Sequence, residues 1–207
     1  MAAPYLTIDT PIEHENEVRR SRFVCAIAHV ESAAEAAAFI AERRALHAGA
    51  THNCKAYVVG QRLQKGDDDG EPGGTAGTPM VQALVGRGFN DVVAVVTRYF
   101  GGVLLGAGGL VRAYGSAVTE TLDRVEPVRM VPATLMRVLA DHTQAGRLEN
   151  DLRASAYTVR EVSYGAEVCF AVAVGADQVA GFEDWVATLT AGRAKVIRGE
   201  DIHVRES

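Results

Sequence analysis

Apolar and polar positions change period along this chain in an alternating strand and helix order. Val92 to Val96 is five apolar residues without a break, the pattern of a strand buried on both faces. It runs into Thr97-Arg98-Tyr99-Phe100 and then Gly101-Gly102. After Gly106 the period becomes helical, with Leu110, Ala113, Ala117, Val118, Thr121 and Leu122 on one side. Upstream, Tyr5 to Ile8 predicts a short edge strand, and Phe23 to Val30 a longer one introduced by the polar run Glu15 to Arg22. Ser32-Ala-Ala-Glu35 is a capping box. The helix it opens runs to about His47, anchored by Phe39, Ile40 and Leu46, with Arg43 and Arg44 toward solvent. His52 to Val59 predicts the next strand. Gln61 to Thr75 has no apolar periodicity and reads as an exposed loop. Thr78 reads as an N-cap with Pro79 at the first helical position. Met80, Ala83 and Leu84 give that helix a buried face, and Gly86 and Gly88 end it.

A second unit begins near Glu126-Pro127. Thr134 to Leu139 predicts a strand, and Asp141 to Gln144 a capped helix start with Leu148 and Leu152 on its apolar side. Tyr157 to Val162 and Glu167 to Val174 form a hairpin around Ser163-Tyr164-Gly165. Val179, Phe182, Val186 and Leu189 recur at helical spacing, Gly192 suits the position after the helix end, and Lys195 to Val204 closes as a strand. The order β-α-β-β-α-β is the ferredoxin-like plan. The fold class expected is therefore α+β in two domains, residues 1–127 and 128–207.

Composition narrows the function classes. The 207 residues carry a net charge of -5, so contact with RNA would need a local basic patch. Cys25, Cys54 and Cys169 are widely spaced with no C-x-x-C, against a disulfide framework or a zinc knot and for a reducing cytoplasm. Met1 to Tyr5 has no basic region leading into an apolar one, so no signal peptide is expected. No apolar run reaches the roughly 20 residues a membrane span needs.

The candidate chemistry lies between Asp67 and Gly115. With Gly66, this stretch holds thirteen of the 21 glycines. Strand, glycine turn and helix start present backbone N–H groups where anions are favoured. Arg98, Gly101, Gly102, Gly106, Gly108, Gly109 and Arg112 are therefore the candidate anion or nucleic-acid site. Arg98 reads equally as a structural partner of the acidic loop. Tyr99, Phe100 and Tyr114 read first as packing and second as a stacking platform for bases. Gly106, Gly108 and Gly109 lack dinucleotide-fingerprint spacing, and no ribose-binding acid follows. Asp67, Asp68, Asp69 and Glu71 read as a solvated acidic loop before a cation site, since their spacing is no EF-hand. His52 and Cys54 share one face of a strand; a nucleophilic pair is the minor reading, and a histidine that fixes the loop the major one.

Three motifs carry a resemblance. His52-Asn53-Cys54-Lys55-Ala56, Asp69-Gly70-Glu71-Pro72-Gly73-Gly74-Thr75-Ala76-Gly77-Thr78-Pro79, and Arg98-Tyr99-Phe100-Gly101-Gly102 through Gly106 resemble the signatures of the IMPACT family, in its bacterial YigZ-like branch. The resemblance covers the whole chain. It implies a first domain like the second domain of a small-subunit ribosomal protein, with a βαβ fold. It implies a second, ferredoxin-like domain similar to the last domain of a translocation elongation factor. It further implies His52, Cys54, Lys55, Asp69, Gly70, Glu71, Thr75, Gly77, Thr78 and Tyr99 as motif residues around a site. The function expected is a non-enzymatic cytoplasmic binding protein in translation regulation. Its expected partner is RNA, the ribosome or a translation factor, with no cofactor, metal, membrane or DNA specificity. The alternative is a metal-assisted hydrolase of a phosphorylated or peptide substrate, acting through His52, Asp69 and Glu71.

Overall fold

The computed structural model describes residues 3–60 and 62–206. It is α+β, with two sheets and, among the described residues, five helices. The chain divides into two compact units, residues 5–129 and residues 130–206 with 3–4.

The first unit centres on an antiparallel sheet of β2 (Ile12–Val18), β3 (Ser21–His29), β6 (Val92–Tyr99), β4 (His52–Val59) and β5 (Leu63–Asp67), in the spatial order β2-β3-β6-β4-β5. β1 (Tyr5–Thr7) bridges to Phe89 through Leu6. The central strand β6 sends Val92, Ala94 and Val96 to one face, against α2 (Gly77–Gly86) and α3 (Ala107–Leu122). Val93 faces the other way, toward α1 (Ala33–Leu46). Period-two alternation on a strand covered by helices on both sides is why the run is apolar throughout.

Several expectations change, among them Leu46, expected to anchor α1 and 66% exposed. The polar run before β3 is itself mostly strand: β2 alternates half-buried Ile12, His14, Asn16 and Val18 with exposed Glu13, Glu15 and Glu17. The alternation was disguised because two inward positions are polar. The expected loop Gln61 to Thr75 contains β5, an edge strand whose side chains are too exposed to leave an apolar signal; Gln61 itself lies outside the described residues. Arg43 does not point to solvent. Its side chain is only 11% exposed and pairs with Glu13.

The α1 cap forms as expected: Ser32 Oγ accepts from the Glu35 N–H at 3.2 Å, and Glu35 reaches back to the Glu31 N–H at 2.8 Å. Helix α2 is different. It starts at Gly77, Thr78 lies inside it, and no side chain of its own N-cap residue Ala76 serves it. The first N–H groups are instead taken by Asp68 from the preceding loop, at 2.9 and 2.8 Å.

In the second unit, β7 (Val128–Ala140), α4 (His142–Ala154), β8 (Thr158–Tyr164), β9 (Val168–Gly175), α5 (Val179–Thr190) and β10 (Lys195–Arg205) follow in order. Their strands pair antiparallel in the order β10-β7-β9-β8. Met136, Val138 and Ala140 of β7 and Val168, Phe170, Val172 and Val174 of β9 alternate onto the face that packs Leu148, Leu152, Phe182 and Val186.

Candidate functional site

Sheet register explains how the motif residues meet. Arg98 of β6 stands opposite Phe23 of β3 on one side and His52 of β4 on the other. Directly opposed residues share a face, so all three point the same way. Glu71 comes over this rung from the loop. Arg98 Nη1 donates to Glu71 Oε1 at 2.7 Å, and the two side chains are 7% and 3% exposed. The Tyr114 hydroxyl, from α3, donates to the same oxygen at 2.7 Å. The Arg98 guanidinium lies between the rings of Phe23 and Phe100, 5.6 and 5.5 Å from their centroids. Tyr114 meets Phe23 edge-on at 5.3 Å.

Burial sets the ionisation of this cluster. The Tyr114 hydroxyl is pushed far up, first by burial and then by the neighbouring Cys54 and Glu71. It therefore stays a donor. Burial likewise pushes the Cys54 thiol up to about 12, and Cys54 Sγ donates to the Asp68 carbonyl at 3.0 Å. A thiol that is fully buried and held protonated is no nucleophile near neutral pH.

The loop from Asp67 to Ala76 is tied down residue by residue. Asp67 accepts from the Asp69 N–H at 2.9 Å and pairs with Lys55 at 3.1 Å. Asp68 accepts from Gly74, Ala76 and Gly77 N–H at 2.8 to 2.9 Å. Burial works to raise the Asp68 carboxyl, but these three donors together hold it below the usual range. Asp69 pairs with Arg44 at 2.6 Å and accepts from the Asn53 N–H at 2.8 Å. The Thr75 hydroxyl donates to the Pro72 carbonyl at 2.6 Å. Since a carbonyl can only accept, His52 donates from Nδ1 to the Asp69 carbonyl at 2.8 Å. Its Nε2 then faces Glu71 Oε2 at 3.9 Å. Gly70, at φ +90°, lies beside the His52 ring. A Cβ on Gly77 would fall 2.3 Å from the Asp67 nitrogen, so only glycine lets the helix start approach the end of β5 so closely.

The expected site residues thus fall into two groups. His52, Cys54, Asp69, Gly70, Glu71, Thr75, Gly77 and Arg98 gather around one buried network, while Lys55 lies on the opposite face of β4, paired with Asp67, and Thr78 lies inside α2. Tyr99, next to Arg98 on β6, faces the other side of the sheet, its hydroxyl 2.9 Å from His47 Nδ1. Arg98 does not stand free as an anion ligand, because a buried cation needs its counter-ion and Glu71 supplies it. The carboxylates of the acidic loop are not solvated as a set; they are occupied by backbone N–H groups and cations. Among the described residues, no group of His, Cys, Asp and Glu is arranged to hold a metal.

The second group lies on the other side of Phe100. Gly101 packs so tightly on the β2–β3 turn that a Cβ there would be 1.9 Å from the Arg20 carbonyl oxygen. The chain then leaves regular structure until Gly106, which precedes α3 at φ +73° with no side-chain cap. Gly108 and Gly109 occupy the first turn of α3. Arg112 follows, exposed and without an anionic partner among the described residues. Phe100 and Leu104 stand 46% and 80% exposed on this segment. The residues that sequence reasoning missed are Ser21, which accepts from the Gly101 N–H at 3.2 Å, and Asp68 as the cap of α2. Tyr114 carried a usable signal: a tyrosine on the apolar stripe of a helix must find an internal partner for its hydroxyl.

Residues 19–122 match the family model described as the Impact N-terminal domain. The chain is 43% identical over 202 residues to the IMPACT family member YvyE of Bacillus subtilis, covering 97% of this chain and 93% of the relative. The chain belongs to the IMPACT family. It is also 37% identical to the family member YigZ of Escherichia coli, covering 92% of this chain and 96% of the relative. Residues 138–193 match a second model, described as a domain of unknown function. A crystal structure described as that of a hypothetical protein superposes with a TM-score of 0.74 at 35% identity, covering 97% of this chain and 99% of the other. The family signature and the buried network coincide: the Impact N-terminal match spans Ser21, Phe23, His52, Cys54, Glu71, Arg98 and Tyr114. No helix among the described residues is long and apolar enough to cross a membrane.

Proposed function

We propose that this chain is a non-enzymatic RNA-binding protein of the translation apparatus, cytoplasmic, contacting RNA through the segment from Phe100 to Arg112. The observation that carries this reading is the surface beside the buried network. Phe100 and Leu104 are exposed, Phe100 is backed by the Arg98 guanidinium, and the uncapped start of α3 and Arg112 follow at once. An exposed aromatic ring beside a helix start with no side-chain cap and a guanidinium without an ion pair among the described residues combines a stacking surface with phosphate contacts. Arg98 acts at one remove, by holding Phe100. Two likenesses support the reading. The β7-α4-β8-β9-α5-β10 order with its β10-β7-β9-β8 sheet is that of the ferredoxin-like plan, and the motifs of the first unit imply a likeness to a ribosomal-protein domain.

The test is fluorescence anisotropy with single-stranded and structured RNA, with ribosome co-sedimentation, at two salt concentrations. Affinity is expected to fall with salt as counterions are released. Phe100→Ala should cost about 1–3 kcal/mol of binding, and Arg112→Ala should weaken binding and flatten the salt dependence. Cys54→Ser should leave it unchanged. Absence of binding, or binding indifferent to Phe100 and Arg112, overturns the reading.

A second reading is favoured by one observation, the convergence of His52, the Asp69 carbonyl and Glu71. It is a metal-assisted hydrolase of a phosphorylated or peptide substrate. One oxygen of Glu71 is already held by Arg98 and Tyr114, which ranks this reading second. Metal-dependent turnover of such substrates, lost in His52→Ala, would put it first.

A further inference from the structure

A cavity of about 270 Å³ opens between α1 and the β4–β5 edge of the first unit. Neither the Phe100 segment nor Arg112 lines it. It exists because β5 extends the sheet past the width of the helix, and the wall that α1 turns toward it carries Ala33, Ala37 and Ala41 at four-residue spacing. Methyl groups cannot span the gap.

The opposite wall is set by strand register. Tyr57 stands opposite Lys65, and Lys55 opposite Asp67. With residues two apart on each strand, all four side chains belong to one face, and all four line the cavity. Arg44 of α1 completes the rim. Three cations therefore meet one carboxylate, in a protein whose net charge is -5. Lys55 is paired with Asp67 at 3.1 Å, and Arg44 with Asp69 at 2.6 Å. Lys65 makes no ion pair of its own among the described residues, and the Tyr57 hydroxyl makes no hydrogen bond there.

An apolar wall, an aromatic ring and an excess of cations at the rim complement one class of ligand. We propose that this cavity binds a small planar anion: a ring bearing a phosphate or carboxylate group, its ring against Tyr57 and the α1 methyls, its charge on Lys65 and Arg44. The volume lies just below the usual range of about 300–1,000 Å³ for ligand sites, so it suits a molecule no larger than a mononucleotide and not a polymer. The Phe100 surface plays no part, and this site stands or falls independently of RNA binding.

Isothermal titration of the full chain tests it, with AMP as the planar phosphate and indole-3-acetate as the planar carboxylate. Adenosine and inorganic phosphate supply each half alone. One of the two planar anions is expected to bind, with either half at least roughly tenfold weaker, and the preferred one names the source. Lys65→Ala should weaken binding roughly tenfold, the worth of one charge-assisted hydrogen bond. Ala37→Leu should abolish it by filling the cavity. Ala37 is exposed and leucine is a good helix former, so that variant should melt as the parent does by circular dichroism. Phe100→Ala should bind as the parent does. Failure of both planar anions to bind overturns the proposal. So does binding indifferent to Lys65→Ala and Ala37→Leu, or phosphate alone binding as tightly as AMP.

Discussion

The two units of this protein bury different things. The interior of the first holds Ser21, Asn53, Glu71, Thr97 and Arg98 together with its apolar residues. In the second, the buried polar residues among those described are Thr134 and Thr190, and the rest of the interior is aliphatic and aromatic. A small α+β sheet evidently needs no internal ion pair to pack. A buried pair is also a poor source of net stability, because desolvation offsets most of the attraction. What the pair in the first unit supplies is position. Glu71 joins the glycine-rich loop to β6, and Tyr114 joins both to α3, so three segments distant in sequence have one mutual arrangement. The surface segment from Phe100 onward is built on that arrangement.

The largest effect should come from leaving one charge behind. Glu71→Ala strands Arg98 in the interior and should cost the first unit about 3–5 kcal/mol. Urea unfolding followed by circular dichroism should show the loss. Trp185, the single tryptophan, packs against Tyr157 at 5.6 Å and Phe182 at 6.1 Å, so its fluorescence reports the second unit and should keep its midpoint. Phe182→Ala should produce the reverse pattern, about 3–5 kcal/mol from the emptied volume, seen by tryptophan fluorescence and not in RNA binding. Equal shifts of both probes in either variant would break the contrast between the units.

Next in size is Asp68→Ala. It frees three backbone N–H groups, two of them at the start of α2, and should cost about 1–3 kcal/mol. The smallest effect is in acid. Backbone donation from Asp69 leads in holding the Asp67 carboxyl below its usual range, and Asp68 is lowered as well. Groups lowered by folding stabilise fully above the ordinary carboxylate range, about pH 4, and lose that contribution as pH falls through their lowered values. The first unit should therefore weaken below about pH 4 more than the second, where the lowered Asp141, held chiefly by Thr143, sits on an exposed cap. A titration followed by both probes checks the order.

Legibility in the sequence followed the same contrast. The second unit was readable almost element by element, because its helices and strands show their apolar faces at the expected period. The strands β3, β4 and β6 and the helices α1 and α3 were readable for the same reason. β2 and β5 were not: one turns His14 and Asn16 inward, and the other is an exposed edge. The motif residues could be singled out by type and spacing, and the acidic loop could be named as a partner of Arg98 and His52, but which loop residue meets which could not. Nothing local says that Asp68 caps α2 nine residues later, or that Glu71 is the counter-ion of Arg98, 27 residues away. Those pairings exist only once sheet register has placed Phe23, Arg98 and His52 on one rung.

The central claim is that the Glu71–Arg98 pair builds the first unit while the Phe100 segment does the binding. Replacing both charges at once, Glu71→Leu with Arg98→Met, tests it most directly, because the pair can be exchanged for apolar volume without stranding either partner. The account predicts that the double variant regains part of the stability lost in Glu71→Ala, the buried Tyr114 hydroxyl being left without its acceptor. It also predicts that RNA binding, read by anisotropy, weakens only in part, through the lost guanidinium behind Phe100, and is lost on adding Phe100→Ala. A double variant that folds yet no longer binds RNA would contradict it, and would assign the buried pair a part in the chemistry itself.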